Sequence, residues 1–405
     1  MSTNKNKHDP VILSAVRTPT GRFMGALSSI PAPELGAIVV REAVQRAKLP
    51  DPAEIEEVLM GNVVSAGMGQ CPARQVAIFS DLPASVGATA INKVCGSGLK
   101  AVMLAAASIK AGDGELYVAG GMESMSRAPY LVNARLGELR YGHGQLTDAL
   151  LHDGLWDPFE KWGMGDAAEF IGDEYNVTRE AMDEFAYNSH QKAIAATDGG
   201  KFKEEIVPIE IKGRKGQVTV FDTDETFRRD STIEALGKLK PAFKPDGKVT
   251  AGNAPSLNDG ASATVVASRA KAEAIGAKPL ARIIGYAQRA VEPRYLFIAP
   301  AHAIPALMEK VSWTMDDVDL IELNEAFSAQ VLADGYAMKD SIGWDWDKVN
   351  VHGGAVALGH PVGASGARVL TTLIYALKDR GLKRGIASLC LGGAEAVAMA
   401  IEIED

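Results

Sequence analysis

The sequence has few cysteines, no obvious leader and no evident long apolar run, and each absence excludes a class of protein. Its 405 residues include only Cys71, Cys95 and Cys390, too few for a disulfide-rich secreted scaffold, so we expect a reducing compartment, the cytoplasm. The first ten residues lack the apolar core of a signal peptide and the arginines of a transit peptide. No uninterrupted apolar run reaches 18 residues, which predicts no membrane span.

An excess of basic residues is also missing. Lys and Arg number 42 against 51 Asp and Glu, which gives a formal net charge of −9. This charge argues against a protein that binds nucleic acids or membrane surfaces. The length of 405 residues predicts at least two domains or one duplicated unit. With 47% hydrophobic residues the chain can build a sizeable core.

Strand-like and helix-like segments alternate along the first part of the chain. Residues 10–16, 55–64 and 115–121 are apolar runs typical of buried strands. Residues 33–47 and 97–111 have the length and apolar pattern of helices. This βαβ alternation predicts an α/β fold with a mainly parallel sheet covered by helices.

The middle of the sequence is more polar than its two ends and interrupts the alternation of strand-like and helix-like segments. Residues 122–249 are more polar, with one good helix at about 178–197, and we interpret them as an inserted loop domain. The alternation resumes after residue 278. The predicted domains are an N-terminal half of residues 1–121 plus 250–277, the loop domain 122–249, and a C-terminal half of residues 278–405.

Three segments of the first half match segments of the second half in the same order. The pairs are "EIEEVLMGNVVSA" (54–66) with "DVDLIELNEAFSA" (317–329), "NKVCGSGLKAV" (92–102) with "HPVGASGARVL" (360–370), and "GGMES" (120–124) with "GGAEA" (392–396). We infer an internal duplication, with two similar halves about a pseudo-twofold axis. Loops at equivalent strand ends then meet near the middle, where Cys95, Asn324, His360 and Cys390 could converge.

Cys95 stands just before a predicted apolar helix. The helix dipole and the free N–H groups of the first turn favour a thiolate, so we expect a lowered Cys95 pKa and a nucleophile. The neighbouring glycines allow a substrate carbonyl to approach the backbone, and N–H groups of such a turn can stabilise an oxyanion. From this stretch alone, a buried cysteine in a tight turn is an equal alternative.

His360 lies in a glycine-rich stretch, residues 350–368, that opens another helix. This stretch has neither the GxxxxGK[ST] nor the GxGxxG spacing, so it does not predict a nucleotide site. Proline follows His360 and favours an extended backbone there. A general base for a thiol is one interpretation, and a structural loop histidine is the other. His352, a weaker candidate, forms no known metal spacing with His360, so we predict no metal.

Two further polar positions follow predicted strands. Cys390 ends one strand of a strand–turn–strand pattern, beside the backbone N–H groups of Gly392 and Gly393. Without a CxxC spacing it favours acid–base over redox chemistry. Asn324 follows the apolar strand of the "ELNEAFSAQ" stretch, where it could orient a water or a substrate oxygen, or cap a helix.

Taken together, these blocks resemble the thiolase family over roughly residues 10–404. The similar stretches are "NKVCGSG", "GGMESMSRAPY", "TAGNAPSLNDGAS", "NEAF", "GGAVALGHPVGASGAR" and "CLGGAEAVAMAIE". The resemblance implies two duplicated βαβ halves in α-β-α-β-α layers, with an inserted loop domain that binds coenzyme A. It also implies Claisen chemistry on acyl-CoA substrates, with no separate cofactor.

The resemblance assigns a role to each candidate residue. Cys95 takes the acyl group after activation by His360, and Cys390 removes an α-proton from a second acyl-CoA. Asn324 holds a water that, with His360, stabilises one thioester oxygen. The N–H groups of Cys95 and Gly392 stabilise the other oxygen.

The resemblance also implies a substrate-binding surface and an assembly. The residues at coenzyme A positions are Leu155, Met164, Arg228, Phe243, Ala254 and Phe327. The chain departs from the family pattern at Pro255, Gly163 and Ala394. The implied activity is acetyl-CoA C-acetyltransferase, with a broad-chain 3-ketoacyl-CoA thiolase of fatty-acid breakdown as the alternative. A non-catalytic acyl-CoA-binding protein is the rival of another class, and a homotetramer is the implied assembly.

Overall fold

A computed structural model describes residues 6–135, 139–213 and 216–404. The strands are β1 Pro10–Arg17, β2 Gly21–Arg22, β3 Glu57–Gly61, β4 Gly87–Ile91, β5 Leu116–Ser124, β6 Tyr130–Leu131, β7 Thr147–Asp148, β8 Trp156–Asp157, β9 Trp162–Gly163, β10 Ile209–Lys212, β11 Val218–Phe221, β12 Asn258–Ser268, β13 Ala281–Ala290, β14 Leu320–Leu323, β15 Arg384–Leu391 and β16 Glu395–Ile403. The helices are α1 Ala32–Ala47, α2 Pro72–Phe79, α3 Ser97–Ala111, α4 Met164–Glu174, α5 Arg179–Asp198, α6 Ile233–Gly237, α7 Arg269–Ala274, α8 Pro300–Val311, α9 Ser328–Ile342, α10 Ala355–Leu358 and α11 Val362–Arg380. The predicted domain limits include residues 1–5, 136–138, 214–215 and 405, which lie outside the described ranges.

The main sheet is mixed, so the prediction of a mainly parallel sheet is wrong. Its order is β14-β15-β16-β13-β1-β12-β5-β3-β4, with β2 beside β12. The pairs β3–β4, β3–β5 and β14–β15 are parallel, and the other pairs of the main sheet are antiparallel. The reason is local, since a tight turn joins β15 directly to β16 and reverses the chain without a crossover helix.

The two halves of the sheet repeat one topology. In the first half the order β3-β5-β12-β1 contains one parallel pair followed by two antiparallel pairs. In the second half β14-β15-β16-β13 has the same sequence of pairings. The equivalent strands β1 and β13 pair with each other and join the halves. The predicted duplication is therefore visible in the fold.

Alternating residues of the strands build the α-β-α-β-α layers. In β1, Ile12 faces a central cluster with α3 and α11, whereas Val11 faces an outer cluster with α1 and α2. In the second half, Leu389 faces the central cluster and Ile386 an outer cluster with α8. This period of two is the property of a strand buried on both faces. The predicted α/β fold of α-β-α-β-α layers is confirmed.

Helices α3 and α11 cross in the central layer with almost no side chain between them. A Cβ added to Gly98 would lie 2.7 Å from the backbone nitrogen of Ala367, and one on Gly366 would lie 2.3 Å from that of Leu99. The two contacts are equivalent, because Gly98 and Gly366 occupy the same position in the two matched segments. Close backbone approach requires glycine there, and it brings the starts of the two helices together.

The central position of α3 explains a second difference from expectation. Residues 94–111 are long and apolar enough for a membrane span, although the sequence was expected to contain no such run. Leu99, Ala105 and Ile109 of this segment are buried in the central cluster. A core helix that contacts other elements on all sides has the same composition.

A buried ionic cluster joins strand β1 to two residues of the predicted loop domain. Arg17 at the end of β1 donates to Glu205 Oε1 at 2.5 Å and to both carboxylate oxygens of Asp224 at 2.6 and 2.9 Å. All three side chains are buried, and the guanidinium lies 5.0 Å from the ring centre of Phe202. The contacts hold Phe202, Glu205 and Asp224 against the end of β1.

Candidate active site

One apolar cavity of about 380 Å³ lies between the loop domain and the two halves of the core. Cys95, His360, Cys390 and Gly392 all line it. The duplication therefore brings together residues that stand up to 297 positions apart in the sequence. The predicted convergence is observed for Cys95, His360 and Cys390, whereas Asn324 does not line the cavity and lies against His360. The roles of these residues in a reaction remain predictions.

Cys95 immediately precedes the N-cap of α3. The backbone of the preceding Val94 has φ of 45°, the left-handed region that a β-branched residue rarely adopts. This turn directs Cys95 toward Gly392, and the backbone N–H groups of Gly392 and of Cys95 itself face the sulfur and act to lower its pKa. Two convergent backbone donors at a nucleophile are the arrangement of an oxyanion hole.

The expectation of a lowered Cys95 pKa is wrong. Burial raises the pKa of the Cys95 thiol to about 11, and the nearby Glu123 carboxylate raises it further, against the two N–H groups that lower it. The helix start is therefore outweighed by desolvation of the thiolate. Cys95 rests as a thiol, and another group must take its proton.

His360 is held at both ends by hydrogen bonds. Its backbone N–H donates to Asn258 Oδ1 at 2.8 Å, and its Nδ1 lies 2.6 Å from Ser365 Oγ. The Ser365 hydroxyl donates its one proton to the carbonyl of Pro361 at 2.9 Å. Ser365 must therefore accept from Nδ1–H, and this fixes the tautomer with a free lone pair on Nε2.

That lone pair belongs to a neutral imidazole. Burial lowers the pKa of His360 to about 3, and the Arg368 cation lowers it further. Nε2 lies 3.5 Å from the side-chain nitrogen of Asn324, a long contact. Asn324 follows β14, is fully buried, and its backbone N–H donates to the carbonyl of Ser388. Neutral His360 can accept a proton from a thiol in the cavity.

Cys390 lies at the end of β15 and is 1% exposed. Burial raises the pKa of its thiol well above the ordinary value, and Cys95 and Asp334 add to the rise. Cys390 is therefore protonated at rest. Once its proton has been removed, the same apolar surroundings make the thiolate a strong base.

Five of the six predicted coenzyme A contacts line the cavity. These five are Leu155, Met164, Phe243, Ala254 and Phe327. Arg228 lies outside the cavity lining, with its side chain exposed and its backbone N–H donating to His190 Nδ1. Pro255 and Gly163, where the chain departs from the family pattern, also line the cavity. Ala394 does not: it has φ of 63° and is buried in the adjacent cluster.

Two groups that orient His360, Ser365 and Asn258, were not predicted from the sequence. Ser365 is the counterpart of Ser97 in the matched segments, and Ser97 Oγ likewise donates to a backbone carbonyl at 2.6 Å. That shared serine was the signal that could have identified it. Asn258 carried no local signal, because its contact with His360 spans 102 residues. His352 lies away from the cavity, buried against the ring of Phe202.

Family models and known proteins match nearly the whole chain. The model of the thiolase N-terminal domain matches residues 10–270, and that of the thiolase C-terminal domain matches residues 277–403. The chain is 51% identical to acetyl-CoA acetyltransferase of Pseudomonas aeruginosa over 393 residues, 97% of this chain and 99% of that protein. It is 52% identical to acetyl-CoA acetyltransferase of Cupriavidus necator over 394 residues, with the same coverage.

Solved structures agree with these matches. The crystal structure of the Bacillus anthracis acetyl-CoA acetyltransferase superposes with a TM-score of 0.94 at 44% identity, covering 98% of this chain and 99% of that chain. The acetyl-CoA acetyltransferase from Syntrophomonas wolfei superposes with a TM-score of 0.95 at 38% identity and the same coverage.

Proposed function

The chain belongs to the thiolase family, and on that premise we propose that it is an acetyl-CoA C-acetyltransferase, which reversibly joins two acetyl-CoA into acetoacetyl-CoA and CoA. The observation that carries the proposal is the presence of two thiols, one neutral imidazole and two backbone donors around a single apolar cavity. Acyl holding and carbon deprotonation are separate tasks, and two thiols serve them.

The first half-reaction transfers an acetyl group to Cys95. His360 takes the Cys95 proton, the sulfur attacks the thioester carbonyl, and the carbon–sulfur bond to CoA breaks. The N–H groups of Cys95 and Gly392 move from the sulfur to the developing oxyanion. Protonated His360 gives this proton to the departing CoA thiolate. The enzyme then holds acetyl-Cys95, the Cys390 thiol and neutral His360.

The second half-reaction forms the carbon–carbon bond. Cys390 first gives its proton to His360, and the resulting thiolate takes a proton from the methyl group of a second acetyl-CoA. The enolate oxygen is stabilised by protonated His360 and by a water held at Asn324. The enolate carbon attacks acetyl-Cys95 and the carbon–sulfur bond breaks. His360 returns its proton to Cys95, so every group regains its starting state.

Removing each of the two thiols in turn tests this scheme. With acetyl-CoA, Cys390→Ala should release about one CoA per site and then stop, whereas Cys95→Ala should release none. Exchange of solvent deuterium into the acetyl methyl should vanish in Cys390→Ala. Cys71→Ser is the matched control, because Cys71 is exposed and outside the cavity. Parental exchange in Cys390→Ala would assign the base to another group.

The dependence of the rate on the acyl-chain length of the substrate decides between acetoacetyl-CoA and longer substrates. Initial rates of CoA-dependent cleavage should be highest for acetoacetyl-CoA and fall for 3-ketoacyl-CoA of rising length. Equal rates across lengths would replace the proposed activity with the broad-chain one. We also expect a cytoplasmic enzyme of lipid metabolism, since Cys71, Cys95 and Cys390 are all free thiols. Cell fractionation tests the location.

We further propose a homotetramer assembled as a dimer of dimers. Strand β4 ends the sheet, and the side chains of Ile78 and Phe79 on adjacent α2 are 44% and 47% exposed. An unpaired edge with exposed apolar neighbours requires a cover. Tyr141 and Leu146, which precede β7, are exposed and offer a second apolar surface.

Light scattering measures this assembly. The particle formed by the parent protein should have four times the mass of one chain. The Leu146→Glu variant should form a dimer instead. Val218→Glu on exposed β11 is the control and should stay tetrameric. A parent chain that is monomeric at micromolar concentration would contradict the assembly.

A further inference from the structure

Glu123, at the end of β5, is a fully buried carboxylate that no step above uses. Its Oε1 accepts from Asn62 Nδ2 at 2.9 Å and from the N–H of Val64 at 3.2 Å. Its Oε2 accepts from the N–H of Val63 at 2.9 Å and of Gly363 at 3.0 Å. One carboxylate thus binds two chain segments that are 300 residues apart in sequence.

The first of these segments, residues 62–64, supports the turn that carries Cys95. Asn62 N–H donates to the carbonyl of Ile91 at 3.0 Å, and Asn92 Nδ2 donates to the carbonyl of Val63 at 3.3 Å. Val63 and Val64 also share a buried cluster with Cys95. The position of this segment therefore determines where the Cys95 turn leaves β4.

The second segment is the first turn of α11. Gly363 stands between His360 and Ser365, the residue that holds the imidazole. A Cβ on Gly363 would lie 2.7 Å from Glu123 Oε2 and 2.6 Å from the carbonyl of Met122. The carboxylate therefore contacts the α11 backbone directly, and any shift of that turn moves His360.

We propose that Glu123 is a positioning residue for acyl transfer, which holds the Cys95 turn and the His360 turn at a fixed separation across the two halves of the chain. The inference rests on the proposed function for its catalytic readout. It assigns a role to a residue that does not line the cavity, and so cannot act by contact with substrate.

The charge of Glu123 also acts on Cys95. Burial raises the pKa of Glu123 to about 7, against the N–H groups of Val63, Val64 and Gly363, which lower it. Asp259 on β12 raises it further.

The other titratable groups facing Cys95 are His360 and Cys390, which line the same cavity. The ionised carboxylate raises the pKa of Cys95, so loss of its charge must shift the thiolate to lower pH.

Glu123→Gln in a Cys71→Ser background tests the proposal. A glutamine side chain has one acceptor oxygen in place of two. Its NH₂ group would therefore face two of the four N–H donors that bind the carboxylate and could not accept from them. We expect kcat to fall about tenfold or more, with the KM for acetyl-CoA within about twofold of the parent, because positions shift but no substrate contact is lost. The rate of Cys95 alkylation by iodoacetamide rises at high pH as the free thiolate forms. In Glu123→Gln this rise should occur at lower pH than in the parent.

Two further variants separate positioning from charge. Asn62→Ala removes one donor and keeps the carboxylate, so kcat should fall while the Cys95 alkylation profile stays in place. Glu169→Gln alters another buried carboxylate, which accepts from the N–H groups of Lys248 and Val249 at 2.8 Å. It should leave the Cys95 profile unchanged.

Circular dichroism checks folding, and Asn62→Ala carries the test if Glu123→Gln does not fold. The proposal is overturned if kcat of the folded variants stays within about twofold of the parent. An unmoved Cys95 profile in folded Glu123→Gln also overturns it. A parent chain without acetyl transfer would refute the proposed function instead, and the alkylation comparison would still report on Glu123.

Discussion

Replacing His360 with alanine should change the pH dependence of Cys95 reactivity, not only its size. In the parent chain the Cys95 pKa is about 11 and the His360 pKa about 3, so both groups are neutral between pH 5 and pH 8. Alkylation of Cys95 then proceeds with His360 as general base, and its rate should be nearly flat over that range. Above pH 9 the free thiolate adds a rising branch.

The magnitude follows from the raised pKa. At pH 7 a thiol with a pKa of about 11 is ionised to roughly one part in 10⁴, a cost of about 5 kcal/mol. A positioned general base contributes about 10² to 10⁴ in rate. His360→Ala should therefore react about 10² to 10⁴ times more slowly than the parent at pH 7. The two rates should converge near pH 11, where His360 no longer matters.

The assay is the rate of iodoacetamide incorporation from pH 5 to pH 11, with labelled peptides identified by mass spectrometry. A Cys71→Ser background removes the exposed thiol, and Cys390 is almost inaccessible. For His360→Ala, the logarithm of the rate should rise by about one per pH unit up to pH 10. A parent curve that titrates below pH 8 would show a resting thiolate and refute the reasoning.

Three further outcomes follow from contacts in the core. Ser365→Ala should lower kcat about tenfold, because His360 loses the partner that fixes its tautomer, and Ser365→Thr should restore most of it; steady-state kinetics measure both. Arg17→Leu should cost about 3–5 kcal/mol in urea unfolding, since two buried carboxylates lose their counter-ion. Gly366→Ala should cost about 1–3 kcal/mol or more by overpacking, whereas Gly237→Ala, with nothing within 4 Å of the added Cβ, should change stability little.

Much of the fold followed from local pattern and from the repeat. The predicted strand at 10–16 and helix at 97–111 match β1 and α3 to within one residue. The repeat placed Cys95, His360 and Cys390 in one region, because equivalent segments of two similar halves must be related by the pseudo-twofold axis. Pairing direction was predicted poorly, since an apolar run has the same pattern in parallel and antiparallel sheets.

The site chemistry was less predictable than its location. A helix start favours a thiolate only where water or donors solvate it, and the sequence around Cys95 does not show how deeply it is buried. Nor does it show Glu123, which reaches Cys95 through space from another strand. The partner of the His360 imidazole, Ser365, was in the repeat, yet its hydrogen bond depends on the exact start of α11.

The glycine crossing of α3 and α11 also bears on the history of the chain. A fused pair of identical ancestors, related by the axis at Gly98 and Gly366, would have carried two equivalent reaction centres. The present chain has kept one of each group: Gly363 now occupies the counterpart of the Cys95 position, and Asn92 the counterpart of the His360 position. Neither half alone contains both the proposed nucleophile Cys95 and the proposed base His360.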